Sequence, residues 1–380
     1  MTQKTHSRIL LSSPHMSGEE IKFIQEAFAI NWIAPLGPHL DKFEQQLAEY
    51  CQVPEAVGMS SGTSAIHIAL RLLNIEQNDE IICSSTTFIA SANPILYEKA
   101  KPVFIDSEPE TWNISPEALE RAILSGIKRG KKPKAAVIVH LYGYPAKMKE
   151  IDAICKKYDV VIIEDAAEAL GSYYQGRPCG SFSEYGILSF NGNKIITTGG
   201  GGALLLKNSD LANKARFLIT QARDKSIHYQ HSQIGYNYRL SNILAGIGMG
   251  QMNILSERVK KRQEVFARYQ NELKNLLSFV PDLPGFISNR WLSAGVVVDK
   301  NKNYLDLINH LNKFDIETRP FWKPLHQQPL FSNCEFFSHI EGQRPVSDDL
   351  FERGICLPSS SHLTNDEQSF VIEKTKQFFN

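Results

Sequence analysis

Val160-Val161-Ile162-Ile163-Glu164-Asp165-Ala166-Ala167-Glu168 is the stretch from which the rest of the chain can be read. Four branched apolar residues in a row, without polar alternation, fit a strand buried on both faces, the habit of parallel sheets. Carboxylates follow at once. A carboxylate at the end of a buried strand needs a partner, because an unpaired buried charge is costly. Asp165 therefore either caps a loop or faces a cationic group of a ligand, and ligands of open α/β sheets bind at the carboxyl ends of strands.

Similar apolar runs recur on both sides. Strands are expected at Ala56–Met59, Glu80–Cys83, Pro102–Asp106, Ala135–His140, Val160–Glu164, Tyr185–Phe190 and Gly202–Leu206. Helical patterns lie between them, at Ser64–Leu73, Pro116–Ser125 and Met148–Tyr158. Strands alternating with helices predict an α/β fold with a mostly parallel seven-stranded sheet covered on both faces. The character changes near Leu240. Asn242–Leu255 and Ser256–Leu277 read as long helices, the second a charged connector. Beyond Pro281 come strands at Ser293–Val298 and Glu317–Pro320 and helices at Tyr304–Phe314 and Asn365–Phe379. The expected division is a large domain over 17–252 and a smaller C-terminal α/β domain over 253–380, joined by the N-terminal arm 1–16.

The chain has 380 residues, long enough for these two units, and 41 basic residues balance 41 acidic ones. That balance gives no support for a nucleic-acid partner. The six cysteines are scattered without a CxxC, which argues against a zinc ribbon and a disulfide scaffold. The histidines show no metal-ligand spacing, so no metal is expected. The first residues lack the apolar core of a signal peptide, and no run is long enough to span a bilayer. The expected location is the cytoplasm, with no membrane partner.

Three further features fall at expected strand ends. Ser60-Ser61-Gly62-Thr63-Ser64 joins a strand to a helix; it reads as a phosphate cradle at a helix N-terminus or as a plain N-cap. Ser189-Phe190-Asn191-Gly192-Asn193-Lys194 follows another strand, and Lys194 stands 194 − 165 = 29 residues after Asp165, about one crossover unit. The two side chains can then enter one crevice, where a desolvated lysine can form an imine. Ser85-Thr86-Thr87-Phe88 offers an aromatic that either stacks on a ring or packs in the core. Gly199–Gly202 leads into a strand and so is not a dinucleotide fingerprint, and GxxxxGK[ST] is absent.

Together these residues resemble the nucleotide-sugar aminotransferases of pyridoxal-phosphate (PLP) fold type I, the DegT/StrS family, whose fold is that of aspartate aminotransferase. The resemblance runs nearly end to end. Gly37-Pro38 with Phe43-Glu44, Gly62-Thr63-Ser64, Thr86 to Asn93, His140-Leu141-Tyr142-Gly143 and Glu164 to Glu168 match in order. Ser189-Phe190 with Lys194, Gly235-Tyr236-Asn237-Tyr238-Arg239-Leu240-Ser241 and Lys323-Pro324-Leu325-His326 complete the set.

The resemblance implies roles. Lys194 would carry the cofactor covalently and move protons, and Asp165 would face its pyridine nitrogen. Phe88 would cover the ring. Gly62, Thr63 and Ser189 would hold the phosphate, Ser64 and Asn191 would also bind the cofactor, and Glu168, often Gln in the family, would sit near the ring hydroxyl. Asn237 would reach the cofactor of a neighbouring subunit, making a homodimer with a shared active site. Tyr238 and His326 would touch the sugar nucleotide. The cofactor would cycle between PLP and pyridoxamine phosphate (PMP), with L-glutamate as amino donor. Many members have Gly-Glu-Gly-Gly after the lysine, where this chain has Gly199-Gly200-Gly201-Gly202. That departure is most similar to enzymes that aminate C4 of UDP-2-acetamido-2,6-dideoxy-hexos-4-ulose for surface glycans. GDP-perosamine synthases and dTDP-4-keto-6-deoxy-hexose aminotransferases are the alternatives. Family members that dehydrate the sugar replace the lysine with histidine, and non-catalytic relatives lose the Lys or the Asp; here both are present.

Overall fold

The computed structural model describes residues 8–380. All seven expected strands form, with ends shifted by one residue or so. They lie at Glu55–Met59, Glu80–Ser84, Lys101–Ile105, Ala135–Val139, Val161–Asp165, Tyr185–Ser189 and Gly202–Leu206. An eighth joins them. Glu335–Phe337, from far along the chain, pairs in parallel beside Lys101–Ile105, with Phe336 opposite Phe104. The large sheet is therefore eight-stranded, not seven. Gly202–Leu206 runs antiparallel to both its neighbours, Glu55–Met59 and Tyr185–Ser189, and the remaining pairs are parallel.

Strand alternation assigns each residue of the decisive stretch to a face. Ile163 packs with the Gly62–Leu72 helix residues Ile66 and Leu70, whereas Ile162 packs on the opposite face with Leu119 and Ile151 of the Pro116–Lys128 and Met148–Tyr158 helices. Asp165 therefore shares the face of Ile163, and Glu164 points the other way. Each fully buried aliphatic side chain of these two layers contributes roughly 1.5–3 kcal/mol.

A second, four-stranded antiparallel sheet has the order Leu277–Phe279, Ser293–Val297, Gly354–Leu357, Arg319–Pro320. Leu277, Leu307, Leu311 and Val371 form a core between it and the Leu255–Leu273, Tyr304–Asn312 and Asn365–Phe379 helices. The connector helix ends at Leu273, four residues earlier than its charge pattern suggests, because Leu277 is the first residue of a strand. It is also less solvated than expected, since Arg258 and Arg262 are both buried. Residues near the N-terminus run along this second unit: Ile9 bridges Ile316, and the Ser359 amide donates to the Leu11 carbonyl at 2.7 Å.

Among the described residues no helix is long and apolar enough to cross a membrane. All six cysteines are free, and all but Cys334 are buried.

Candidate active site

A cavity of about 220 Å³ opens at the carboxyl ends of the large-sheet strands. One end is the turn Ser60-Ser61-Gly62-Thr63. Here the Ser61 side chain caps the Gly62–Leu72 helix by accepting from the Ser64 amide at 3.0 Å, while the Ser64 hydroxyl accepts from the Ser61 amide at 3.0 Å. The amides of Gly62 and Thr63 are left at a helix N-terminus, where N–H groups lack intrahelical acceptors and favour an anion. Both readings of the turn are thus realised at once: N-cap and anion cradle. Ser189 and Asn191 line the same end. The packing beneath is tight. A Cβ on Gly202 would lie 2.4 Å from the Gly62 nitrogen, and one on Gly62 would lie 3.2 Å from the Ser189 Cβ.

The other end is Asp165, 5% exposed. Its Oδ2 accepts from the Ser91 hydroxyl at 2.7 Å, and its Oδ1 accepts from the Ala167 amide at 3.2 Å. Ser91 in turn contacts the Thr87 hydroxyl at 2.8 Å. Two donors on a buried carboxylate fix its orientation.

Lys194 lines the same cavity. The turn that carries it is closed by its own amide, which donates to the Asn191 carbonyl at 3.0 Å. Its Nζ lies 3.5 Å from Glu168 Oε1 and 4.1 Å from the centre of the Trp291 ring. Glu168 is buried, and its other oxygen accepts from the Tyr142 amide at 2.7 Å. Burial pushes the Glu168 carboxyl up, with the Lys194 charge and the Tyr142 amide opposing. Phe88 forms the rim, half exposed, with its ring 5.4 Å from that of Trp322.

Of the residues singled out in the sequence, the structure brings Gly62, Thr63, Phe88, Asp165, Glu168, Ser189, Asn191 and Lys194 to this one cavity. Ser64 lies just behind it, its hydroxyl turned back to the Ser61 carbonyl at 2.7 Å. Asn237, Tyr238 and His326 do not line it. Asn237 is exposed. The Tyr238 ring stacks on Tyr236 and its hydroxyl meets His67 at 3.2 Å, although its carbonyl accepts from the Ser60 amide at 2.7 Å and so braces the turn. His326 stacks on Phe336 at 3.7 Å and spans Ser85 and Asp348. Burial lowers the His326 pKa, and Asp348 opposes this.

Four residues escaped the sequence reading of the site. Ser91 and Thr87 lie within the segment Thr86 to Asn93, and the bond from Ser91 to Asp165, with Thr87 behind it, needs the fold to be seen. Trp291 and Trp322 line the cavity from nearly a hundred residues or more beyond Lys194 and carry no local signal. His140, Glu164 and Cys179 also converge, with ligand atoms within 4.8 Å of one another. The Glu164 carboxylate there is already taken, by His140 Nε2 at 2.9 Å and by the amides of Gly180 and Phe182 at 2.6 and 2.8 Å. This group is a hydrogen-bonded brace for the strand end.

The donor set fits pyridoxal phosphate. A helix N-terminus and the Ser189 hydroxyl suit a phosphate, an oriented carboxylate suits a protonated ring nitrogen, and an amine in the same cavity suits an aldehyde. The glycine at 62 is part of the cradle, since a side chain there would meet Ser189.

Comparison with known proteins agrees with this geometry. The model of the DegT/DnrJ/EryC1/StrS aminotransferase family matches residues 14–376. The chain is 54% identical to EpsN of Bacillus subtilis, provisionally described as a pyridoxal phosphate-dependent aminotransferase, over 98% of this chain and 96% of EpsN. It is 34% identical to GDP-perosamine synthase of Escherichia coli O157:H7, over 96% of this chain and 97% of that one. Among solved structures, an aminotransferase of the same family from Brucella abortus superposes with a TM-score of 0.88 at 28% identity, over 95% of each chain.

Proposed function

Because the chain belongs to the DegT/DnrJ/EryC1/StrS aminotransferase family, and is therefore a PLP-dependent sugar aminotransferase, we propose that it moves the amino group of glutamate onto C4 of a nucleotide-linked 4-keto-6-deoxy sugar. The acceptor in this reading is UDP-2-acetamido-2,6-dideoxy-hexos-4-ulose, and the product is an amino sugar for glycan assembly.

The observation that carries the reading is the convergence of Asp165, Lys194 and the Gly62–Leu72 helix N-terminus on one cavity. When bound, the cofactor supplies an aldehyde that exchanges amino groups and a ring that holds the electron pair of a broken C–H bond. The protein's own residues do the rest. Gly62, Thr63 and Ser189 hold the phosphate. Asp165, fixed by Ser91 and Ala167, holds the proton on the ring nitrogen. Lys194 Nζ takes the proton from the carbon that bears the amino group and returns it to the carbon on the other side of that nitrogen, as a general base then acid. Phe88 covers the ring and, with Trp322, narrows the mouth against water. Asn237, exposed and away from its own cavity, is assigned to the site of a second copy in a homodimer.

Gly200 supports the UDP-2-acetamido acceptor. It lines the cavity, and a Cβ built there meets nothing within 4 Å, so the wall keeps room for the bulky 2-acetamido group. The likeness to a GDP-perosamine synthase favours a second reading, a GDP-linked acceptor. Amino transfer from glutamate to the UDP-, GDP- and dTDP-linked 4-keto-6-deoxy sugars, measured side by side, separates the two. The expected result is the highest kcat/KM with the UDP-2-acetamido sugar. A highest value with the GDP sugar overturns that assignment, and no transfer to any of them overturns amination at C4.

A further inference from the structure

In transamination the lysine must leave the cofactor, remain close, and return. Once free it is a flexible ammonium in a mostly closed cavity, 12% exposed, and a cation in such a place needs a compensating surface. Two groups meet it: Glu168 on one side and the face of Trp291 on the other.

Trp291 is held unusually firmly for a cavity-lining aromatic. It is 1% exposed. Its amide donates to Asn289 Oδ1 at 2.9 Å, its carbonyl accepts from Arg262 at 2.5 Å, and its indole N–H donates to the Asn193 carbonyl at 2.6 Å. That last bond fixes the residue immediately before the lysine. The Asn289 side chain also donates to the Glu168 carbonyl at 2.9 Å. The segment 289–291 therefore grips the backbone at both Glu168 and Asn193. The ring cannot move away, and it presents its negative π-face to the Nζ at 4.1 Å, within the range of a cation–π contact. A tryptophan that merely filled core would have no reason to turn its face to the one lysine of the cavity wall.

We propose that Trp291 is a positioning residue for the catalytic lysine, its indole face being the resting place of the protonated Lys194 amine in the PMP form. This rests on the transamination reading above. It has a thermodynamic consequence. In the PMP form the lysine is free and lies on the ring, whereas in the PLP form it is tied to the cofactor. Trp291 therefore stabilises the PMP form selectively.

The test is an equilibrium. Purified holoenzyme is poised with fixed ratios of glutamate to 2-oxoglutarate, and the ratio of PLP to PMP form is read from the visible absorption band. Trp291→Leu is expected to shift this constant toward the PLP form by roughly three- to thirtyfold, and Trp291→Phe less in the same direction, as its weaker ring face requires. Because Trp291→Leu empties a large buried volume, its melting temperature is checked in parallel; if it fails to fold, the shift in Trp291→Phe decides. In the cofactor-free protein, acylation of Lys194 by an amine-selective reagent, counted by mass spectrometry, should be faster in the leucine variant. A constant unchanged in every variant that folds overturns the proposal. A wild-type band that glutamate never bleaches overturns the transamination reading instead.

Discussion

Asp165 and Lys194 each gain their chemical character from neighbours that are distant in sequence. The carboxylate is aimed by the hydroxyl of Ser91, which is itself paired with Thr87. Removing a donor from a buried carboxylate leaves it partly unsatisfied, at a cost of about 1.5–3 kcal/mol. Ser91→Ala should therefore lower the unfolding free energy by about 2 kcal/mol in urea titrations, with most of it restored by Ser91→Thr. A Ser91→Ala protein as stable as the wild type would show that Asp165 does not depend on that hydroxyl. At this scale the sequence was readable where a residue type is improbable in its setting. A carboxylate after Val160-Val161-Ile162-Ile163 and a lysine after a buried strand both stand out. Ser91 and Trp291 do not, since serine in a polar segment and tryptophan before an apolar run suggest nothing on their own.

The elements set how closely the parts of the site can approach one another. The Gly202–Leu206 strand starts directly under the Ser60-Ser61-Gly62-Thr63 turn, so its first residue must lack a side chain: a Cβ there would sit 2.4 Å from the Gly62 nitrogen and the Ser61 carbonyl carbon. Gly202→Ala should displace either the turn or the strand, destabilising the protein by about 1–3 kcal/mol and weakening cofactor retention about tenfold or more, as overpacking against backbone predicts. Gly200→Ala, two residues away and facing open space, should change stability by less than about 0.5 kcal/mol. Calorimetry with a PLP titration distinguishes them, and equal effects of the two substitutions would contradict the packing account. Strands built from long branched runs were legible to within about a residue. Glu335–Phe337 was not, because three residues, two of them aromatic, carry no periodicity, and only the edge of a sheet laid down more than 200 residues earlier gives them a partner. The helices Glu20–Ala29 and Pro38–Cys51 also escaped notice; their apolar faces are defined by contact with one another's neighbour, the Asn242–Asn253 helix.

At the scale of the whole molecule, the lysine loop is where the parts meet. The Asn193 carbonyl accepts from Trp291, just before the Ser293–Val297 strand of the second sheet, and from Ser12 near the N-terminus at 2.8 Å, while Arg262 of the connector helix reaches both Ser12 and Trp291. The Lys194 amine is thus positioned by segments separated by up to about 280 residues, which is why motif order points to the proposed cofactor site while the cage around the amine has no local signal. We propose the division into 17–252 and 253–380 as the folding units, with Glu335–Phe337 as the strand that the second lends to the first. Three exposed apolar residues, Ile227, Tyr229 and Ile234, lie close to Asn237 in sequence and suit the proposed contact with a second copy.

The central claim, that Lys194 and Asp165 form a working PLP site for amino transfer, is tested most directly by a visible absorption scan of the purified protein. The expected result is a violet-region band in the wild type that bleaches with glutamate and returns when the 4-keto sugar nucleotide is added, and no such band in Lys194→Ala. A wild-type protein that shows no band after PLP is added, or a Lys194→Ala protein that turns over like the wild type, would contradict it.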